Sequence, residues 1–285
     1  MSLSLRHLLF SCLTHFRWLN WGFVFFLICD PSISHCTPSH PHRLDLSLSY
    51  TRVDQAGDWQ RLIAGYGYMS SQKNAWGGSF QAHRREFSLE PFTDLMGTMW
   101  GHWQSQNWSI HTQIEGSLNP KFMPKWAVNV HPQRHFKIKT HTLTLASYYR
   151  FAQYSSAWSQ LVVPSLTWIY PYGSIGTHLY FTFPEYGPNF FTPQLRFTFR
   201  LSYFWRLGLW GLYGYDTLND RFVDPRRQSP LTNLYVYIQH LWNDWQGTRV
   251  GLSYLNFLPQ NRQQAQERFN QNRLEFSLHH YWRFD

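Results

Sequence analysis

The chain has 285 residues and a formal net charge of +9, with aromatic residues at 19% and charged residues at 14%. A typical soluble domain carries about 25% charged residues; this chain is too rich in rings for a disordered protein, and 3 cysteines are too few for a disulfide scaffold. Its mean hydropathy is negative and it lacks a run of about 20 apolar residues, which argues against a bundle of membrane helices.

Residues 1–34 read as a signal peptide. Arg6 and Arg17 lie in a stretch without acids, and WLNWGFVFFLIC over 18–29 has the length of a signal-peptide apolar core, too short to span. Ser32-Ile33-Ser34 then offers a small-x-small cleavage site. A short membrane anchor or a buried hairpin is the alternative. Cleavage after Ser34 removes two arginines and Asp30, taking the charge from +9 to +8, and leaves Cys36 as the only thiol. A single thiol forms no internal disulfide, so the exported chain must rest on its hydrogen bonds and packing. Residues 35–41 form a short periplasmic segment, and 42–285 the remaining domain.

From residue 42 the side chains alternate with period two, as on strands that separate an apolar wall from a polar one. Leu44, Leu46, Leu48 and Tyr50 oppose Arg43, Asp45, Ser47, Ser49 and Thr51. Trp108, Ile110, Thr112, Ile114 and Leu118 oppose Ser109, His111, Gln113, Glu115 and Ser117. Leu195, Phe197, Phe199, Leu201 and Tyr203 oppose Gln194, Arg196, Thr198, Arg200 and Ser202, and Leu234, Val236 and Ile238 oppose Asn233, Tyr235, Tyr237 and Gln239. The last segment sets Leu274, Phe276, Leu278, His280, Trp282 and Phe284 against Arg273, Glu275, Ser277, His279, Tyr281 and Arg283. Soluble strands average about five or six residues; these runs approach the 9–11 or so that cross a bilayer.

Turn signals divide this region into fourteen strands: 42–54, 59–70, 76–86, 94–104, 107–118, 122–131, 138–153, 156–170, 173–184, 192–203, 206–216, 230–242, 245–256 and 272–284. Twelve is the alternative count, because 87–93 and 117–127 are ambiguous. Short turns near Gln106, Tyr172-Gly173, Phe204-Trp205 and Asn243-Asp244 fall at even-numbered connections. The longest loops, 218–229 and 257–271, fall at odd-numbered ones, as in an outer-membrane barrel with short periplasmic turns and long outer loops. The connection near Ser155 is shorter than this scheme asks. The expectation is an all-β, antiparallel transmembrane β-barrel located in the outer membrane. Trp and Tyr favour the headgroup level. Trp59, Trp76, Trp103, Trp108, Trp168, Tyr170, Trp205, Trp242, Trp245 and Trp282 lie near the strand ends and make the candidate aromatic girdle.

The final strand stops at Phe284, one residue before Asp285. A terminal aromatic on an amphipathic last strand resembles the signal read by the barrel-assembly machinery, so Phe284 is the candidate assembly residue. FMPKWAVNVH over 122–131, LTLASYYRFAQY over 143–154 with Trp158, and the closing 274–284 segment resemble the YaiO family of outer-membrane β-barrels. The resemblance implies a barrel of the Gram-negative envelope and supplies no catalytic residues.

Chemistry is harder to find. His111 and Glu115 share one polar wall, and Glu275, Ser277 and His279 another, so a base and an orienting acid could be assembled from them. The competing reading makes His111, Glu115, Glu275 and His279 part of a lumenal charge network with Arg196, Arg200 and Arg273. His102 and Ser105 are three apart and point to opposite strand faces. The 15 histidines show no zinc spacing, and no phosphate loop or dinucleotide fingerprint is present. No cofactor and no nucleic-acid partner is expected, since the arginines sit opposite the aromatic face; the expected contacts are membrane lipids, including lipopolysaccharide. The leading expectation is a passive pore, export conduit or structural barrel. A barrel enzyme acting on lipid or saccharide, and a soluble exported carbohydrate-binding sandwich, are the rivals.

Overall fold

The computed structural model describes residues 41–53, 57–69, 74–87, 90–186, 189–214, 231–243, 246–257 and 273–284. Residues 1–40, which include most of the expected signal peptide and periplasmic segment, Trp245 and the two longest connections lie outside them.

Fourteen strands follow in chain order: β1 His42–Val53, β2 Gly57–Met69, β3 Asn74–Phe87, β4 Glu90–Gln104, β5 Trp108–Leu118, β6 Trp126–Ile138, β7 His141–Gln153, β8 Trp158–Tyr170, β9 Gly173–Pro184, β10 Phe190–Arg200, β11 Trp205–Gly214, β12 Leu231–Asn243, β13 Gln246–Phe257 and β14 Arg273–Phe284. Each pairs antiparallel with its sequence neighbours, and β1 pairs with β14 from His42↔Phe284 to Val53↔Arg273, closing the barrel. The soluble sandwich falls with that closure.

Alternation decides which wall faces lipid. Asp45 is 0% exposed, and Ser47, Ser49 and Thr51 beside it are buried, whereas Phe276 and Leu274 across the same seam stand half exposed on the outside. Ile114 and Met99 are likewise open on the outer surface, while Glu115 and Thr98 are buried within. An apolar skin around a polar interior is the inverse of a soluble protein, and it fits a hydrocarbon surround.

Several boundaries differ from the sequence reading: β4 already starts at Glu90 and not at 94, β7 starts at His141 and not at 138, and three further differences have a visible cause. Residues 122–131 were expected to begin the sixth strand, yet β6 starts at Trp126, because 120–124 are drawn into the barrel mouth instead of continuing the wall. β6 also runs past 131 to Ile138, so Pro132 lies inside a strand. Proline has no N–H to give a ladder, and the recorded β6–β7 pairing lapses at His131 and Pro132 while the chain stays extended. Leu201 and Tyr203 do not extend the outer wall of β10; they belong to the β10–β11 turn, where the Ser202 hydroxyl accepts the Phe204 and Trp205 N–H groups.

The even-numbered connections are all tight, and they share the barrel end that carries His42 and Phe284. We call this the turn end; in outer-membrane barrels it faces the periplasm. Gly173 opens β9 just after one of these turns. A Cβ there would stand 1.9 Å from the Thr198 carbonyl oxygen of β10, a conflict with backbone and not with a movable side chain. Gly173→Ala should therefore weaken the β9–β10 pairing by about 1–3 kcal/mol, the usual range for overpacking. The check is the temperature at which the compact, heat-modifiable gel band is lost; an unchanged temperature would contradict the close approach.

Candidate functional site

The interior wall is the candidate site. The alternation of β5 sends His111 and Glu115 inward together, but their side chains engage different partners. Glu115 is buried and fully engaged. Arg150 of β7 binds its two oxygens at 2.9 and 2.8 Å, Gln113 donates to it at 2.7 Å and Asn129 of β6 at 2.9 Å. Tyr148 donates to the Asn129 side-chain oxygen at 2.9 Å, which ties a fifth residue type into the cluster. A two-pronged arginine–carboxylate pair with extra donors is the arrangement that offsets desolvation of both charges. His111 lies instead between His102 and His131 in the register, with its ring stacked on Trp100.

A second cluster lies at the seam. The Asp45 carboxylate takes Arg43 through its Nε and through NH2 at 2.6 Å, and His279 of β14 at 2.8 Å. Glu275 reaches Arg61 of β2 at 3.7 Å, a looser and half-exposed pair. The residues proposed from sequence as one charge network therefore divide among separate clusters. Glu115 pairs with Arg150, and His279 with Asp45. Arg273 lies 4.3 Å over the Trp59 ring, Arg196 sits between Gly176 and Trp210 in the ladder, and Arg200 faces Arg206 near the turn end. Neither proposed acid–base set is assembled, because each acid is occupied by an arginine. His102 faces inward, and the Ser105 N–H bonds the Trp108 carbonyl within the β4–β5 turn. Among the described residues no group of three or more His, Cys, Asp or Glu is placed to hold a metal ion.

The inward tyrosines could have plugged the lumen; their rings lie along the wall instead. The Tyr237 ring covers Gly208 on the neighbouring strand, where a Cβ would stand 2.0 Å from it. Tyr281 covers Gly247, and the Tyr235 hydroxyl end covers Gly251. Arg249 then lies 4.4 Å over Tyr237, and Arg43 lies 4.5 Å over Tyr281. Glycine thus makes room for a ring, and the ring for a guanidinium, which keeps cations at the lumen surface.

At the other end of the barrel, the loop end, Asp94 of β4 is 0% exposed and faces inward. It accepts three consecutive backbone N–H groups from the β5–β6 connection: Lys121 at 3.0 Å, Phe122 at 2.8 Å and Met123 at 2.8 Å.

On the outer surface, Trp108, Trp168, Trp205, Trp242 and Trp282 all sit at the turn end, with Trp76 and Trp103. Their polar N–H groups find partners there, Trp242 on Thr248 at 2.8 Å and Trp168 on His141 at 3.3 Å. Trp59 does not belong to this belt: it faces inward, between Arg85 and Arg273. Phe284 stacks on His42 across the seam, with centroids 5.5 Å apart. Sequence reasoning missed Asp94, Arg150, Arg61 and Arg249. Nothing in the string joins Arg150 to a residue 35 positions earlier.

No family model and no curated protein sequence matches this chain. Solved structures do. A bacterial polysaccharide outer membrane secretin is similar at 12% identity, with a TM-score of 0.51 over 86% of this chain and 99% of that one. The CymD monoaromatic hydrocarbon channel is similar at 8% identity, with a TM-score of 0.55 over 86% and 89%. These likenesses are of fold. With the closed wall and its apolar skin, they give the chain the fold of an outer-membrane β-barrel.

The Glu115–Arg150 pair yields a prediction. Arg150→Met leaves a buried carboxylate without its cation and should cost about 3–5 kcal/mol. Adding Glu115→Gln to it should recover most of that loss. Thermal loss of the compact gel band measures both; equal loss in the single and double variants would reject the pairing.

Proposed function

We infer that this barrel is a passive conduit of the outer membrane, of the YaiO type, whose interior favours small anions. The carrying observation is the charge of the inner wall. Arg43, Arg61, Arg85, Arg150, Arg196 and Arg249 share the inward register, joined by Arg200, Arg206, Arg273 and Arg283. The acids whose described side chains face inward are Asp45, Asp94, Glu115 and Glu275. Arginine thus outnumbers carboxylate, and low-dielectric walls focus the resulting positive field onto the aqueous path. The flat placement of Tyr235, Tyr237 and Tyr281 on their glycines supports an interior that solutes can pass.

The YaiO reading rests on the aromatic stretches 122–131, 143–154 with Trp158, and 274–284, which fall in the β5–β6 connection and β6, in β7 and the start of β8, and in β14. The outer face contacts lipid, including lipopolysaccharide, and Phe284 at the end of β14 meets the assembly machinery. Among the described residues, Glu115, Glu275 and Asp45, the acids nearest the candidate bases, are engaged with arginine.

Planar-bilayer recording under a salt gradient tests this reading. The wild type should conduct with an anion-selective reversal potential, and Arg196→Gln with Arg200→Gln should move that potential toward zero. An unchanged potential rejects the anion preference. A silent wild type rejects the conduit and leaves a structural envelope barrel.

A further inference from the structure

The β5–β6 connection does not rise out of the barrel. Ser117 N–H bonds the Lys125 carbonyl at 3.0 Å, so the wall is paired up to that point and residues 118–124 are an excursion from it. Asn119 turns the chain with a φ of 48°, a left-handed conformation that asparagine tolerates. The excursion then enters the lumen, because its backbone N–H groups end on Asp94, an inward residue four positions into β4. Phe122 and Pro124 are buried there. The tip is held on further sides. The Phe122 ring lies 4.2 Å from the Arg85 guanidinium, which also covers Trp59 at 4.4 Å. Lys121 Nζ lies 4.4 Å over Phe92, and the Ser155 hydroxyl donates to the Pro120 carbonyl at 3.2 Å.

We propose that residues 119–124 form a fixed constriction in the outer mouth of the conduit, that Asp94 is the positioning residue latching it, and that Arg85, clamped between Phe122 and Trp59, sets a cation at its rim. The occupant this shape admits is a small anionic solute, one that passes a narrowed, arginine-edged aperture. The proposal deepens the conduit reading and rests on it for its conductance readout. Its physical basis is the carboxylate. An ionised group accepting several backbone N–H bonds forms charge-assisted contacts about twice as strong as neutral ones. The next inward side chains of β4, Met96 and Thr98, offer no carboxylate to these donors.

Asp94→Asn is nearly isosteric, yet it removes the charge, and with its one oxygen in the Oδ2 position its NH2 faces the Lys121 N–H that the second carboxylate oxygen accepts. Folding of the variant is first confirmed by heat-modifiable migration. The latch predicts a larger single-channel conductance, passage of larger solutes, and new trypsin cleavage after Lys121 in the folded barrel, read by fragment mass. A second variant deletes 120–124 and carries Leu118→Asn and Asn119→Gly, a two-residue hairpin turn that closes the existing Ser117–Lys125 pair. It should open the mouth as Asp94→Asn does, even if the point variant misfolds. Unchanged conductance in the deletion variant overturns the constriction, and protection of Lys121 in folded Asp94→Asn overturns the latch. If the wild type is silent in bilayers, the conduit reading fails, and the proteolysis arm still decides whether Asp94 holds the loop.

Discussion

Everything in this molecule follows from the refusal of hydrocarbon to hydrogen-bond. A backbone N–H or C=O left unpaired in lipid costs several kcal/mol, so a sheet can cross only if it has no edge. The pairing of β1 with β14 over the full length of both strands meets that demand. Closure then fixes the side chains: once the wall is continuous, every second residue must meet lipid and its neighbours must meet the interior. Leu274 and Phe276 outside, with Glu275 and Ser277 inside, are the direct result.

The interior obeys a second rule, that charge near a low-dielectric wall needs company. Asp45, Asp94 and Glu115 show three solutions to one problem. Asp45 is met by an arginine two residues away and a histidine from the strand across the seam. Glu115 recruits arginine and two amides from three strands. Asp94 uses no cation and binds backbone. The arginines have their own solution, lying flat on rings that themselves lie flat on glycine-lined wall. In such a layer Arg249 also meets the Gln239 amide oxygen, and Arg43 on Tyr281 also holds the Asp45 carboxylate.

The wall was legible in the sequence, because period two is a local signal carried by neighbouring residues. The strand count, the closure expected of it and the inward face of β5 and β14 all came from it. The site was less legible. Glu115 and His111 share a strand face, which alternation reveals, but Glu115 finds Arg150 two strands away, which it does not. Asp94 reads as an ordinary polar residue of β4; its role depends on a loop 27 positions later that bends inward. The error at 122–131 has the same origin, since Phe122 and Trp126 look like one aromatic strand when only local pattern is weighed. Trp59 was placed on the outer belt for its nearness to a strand end, and register sends it inward.

The outward tryptophans are unevenly shared between the two rims. Trp76, Trp103, Trp108, Trp168, Trp205, Trp242 and Trp282 crowd the turn end, while the loop end has Trp126 and Trp158. Indole rings settle where water gives way to acyl chains. The molecule is thus moored more strongly by indole at the turn end, and the loop rim, with two tryptophans and the smaller rings of Tyr50, Tyr213 and Tyr254, holds a set height less firmly. Where the bilayer thickens or thins, the adjustment falls on the outer leaflet, and the mouth with its inward loop rises or sinks relative to the saccharide layer above it.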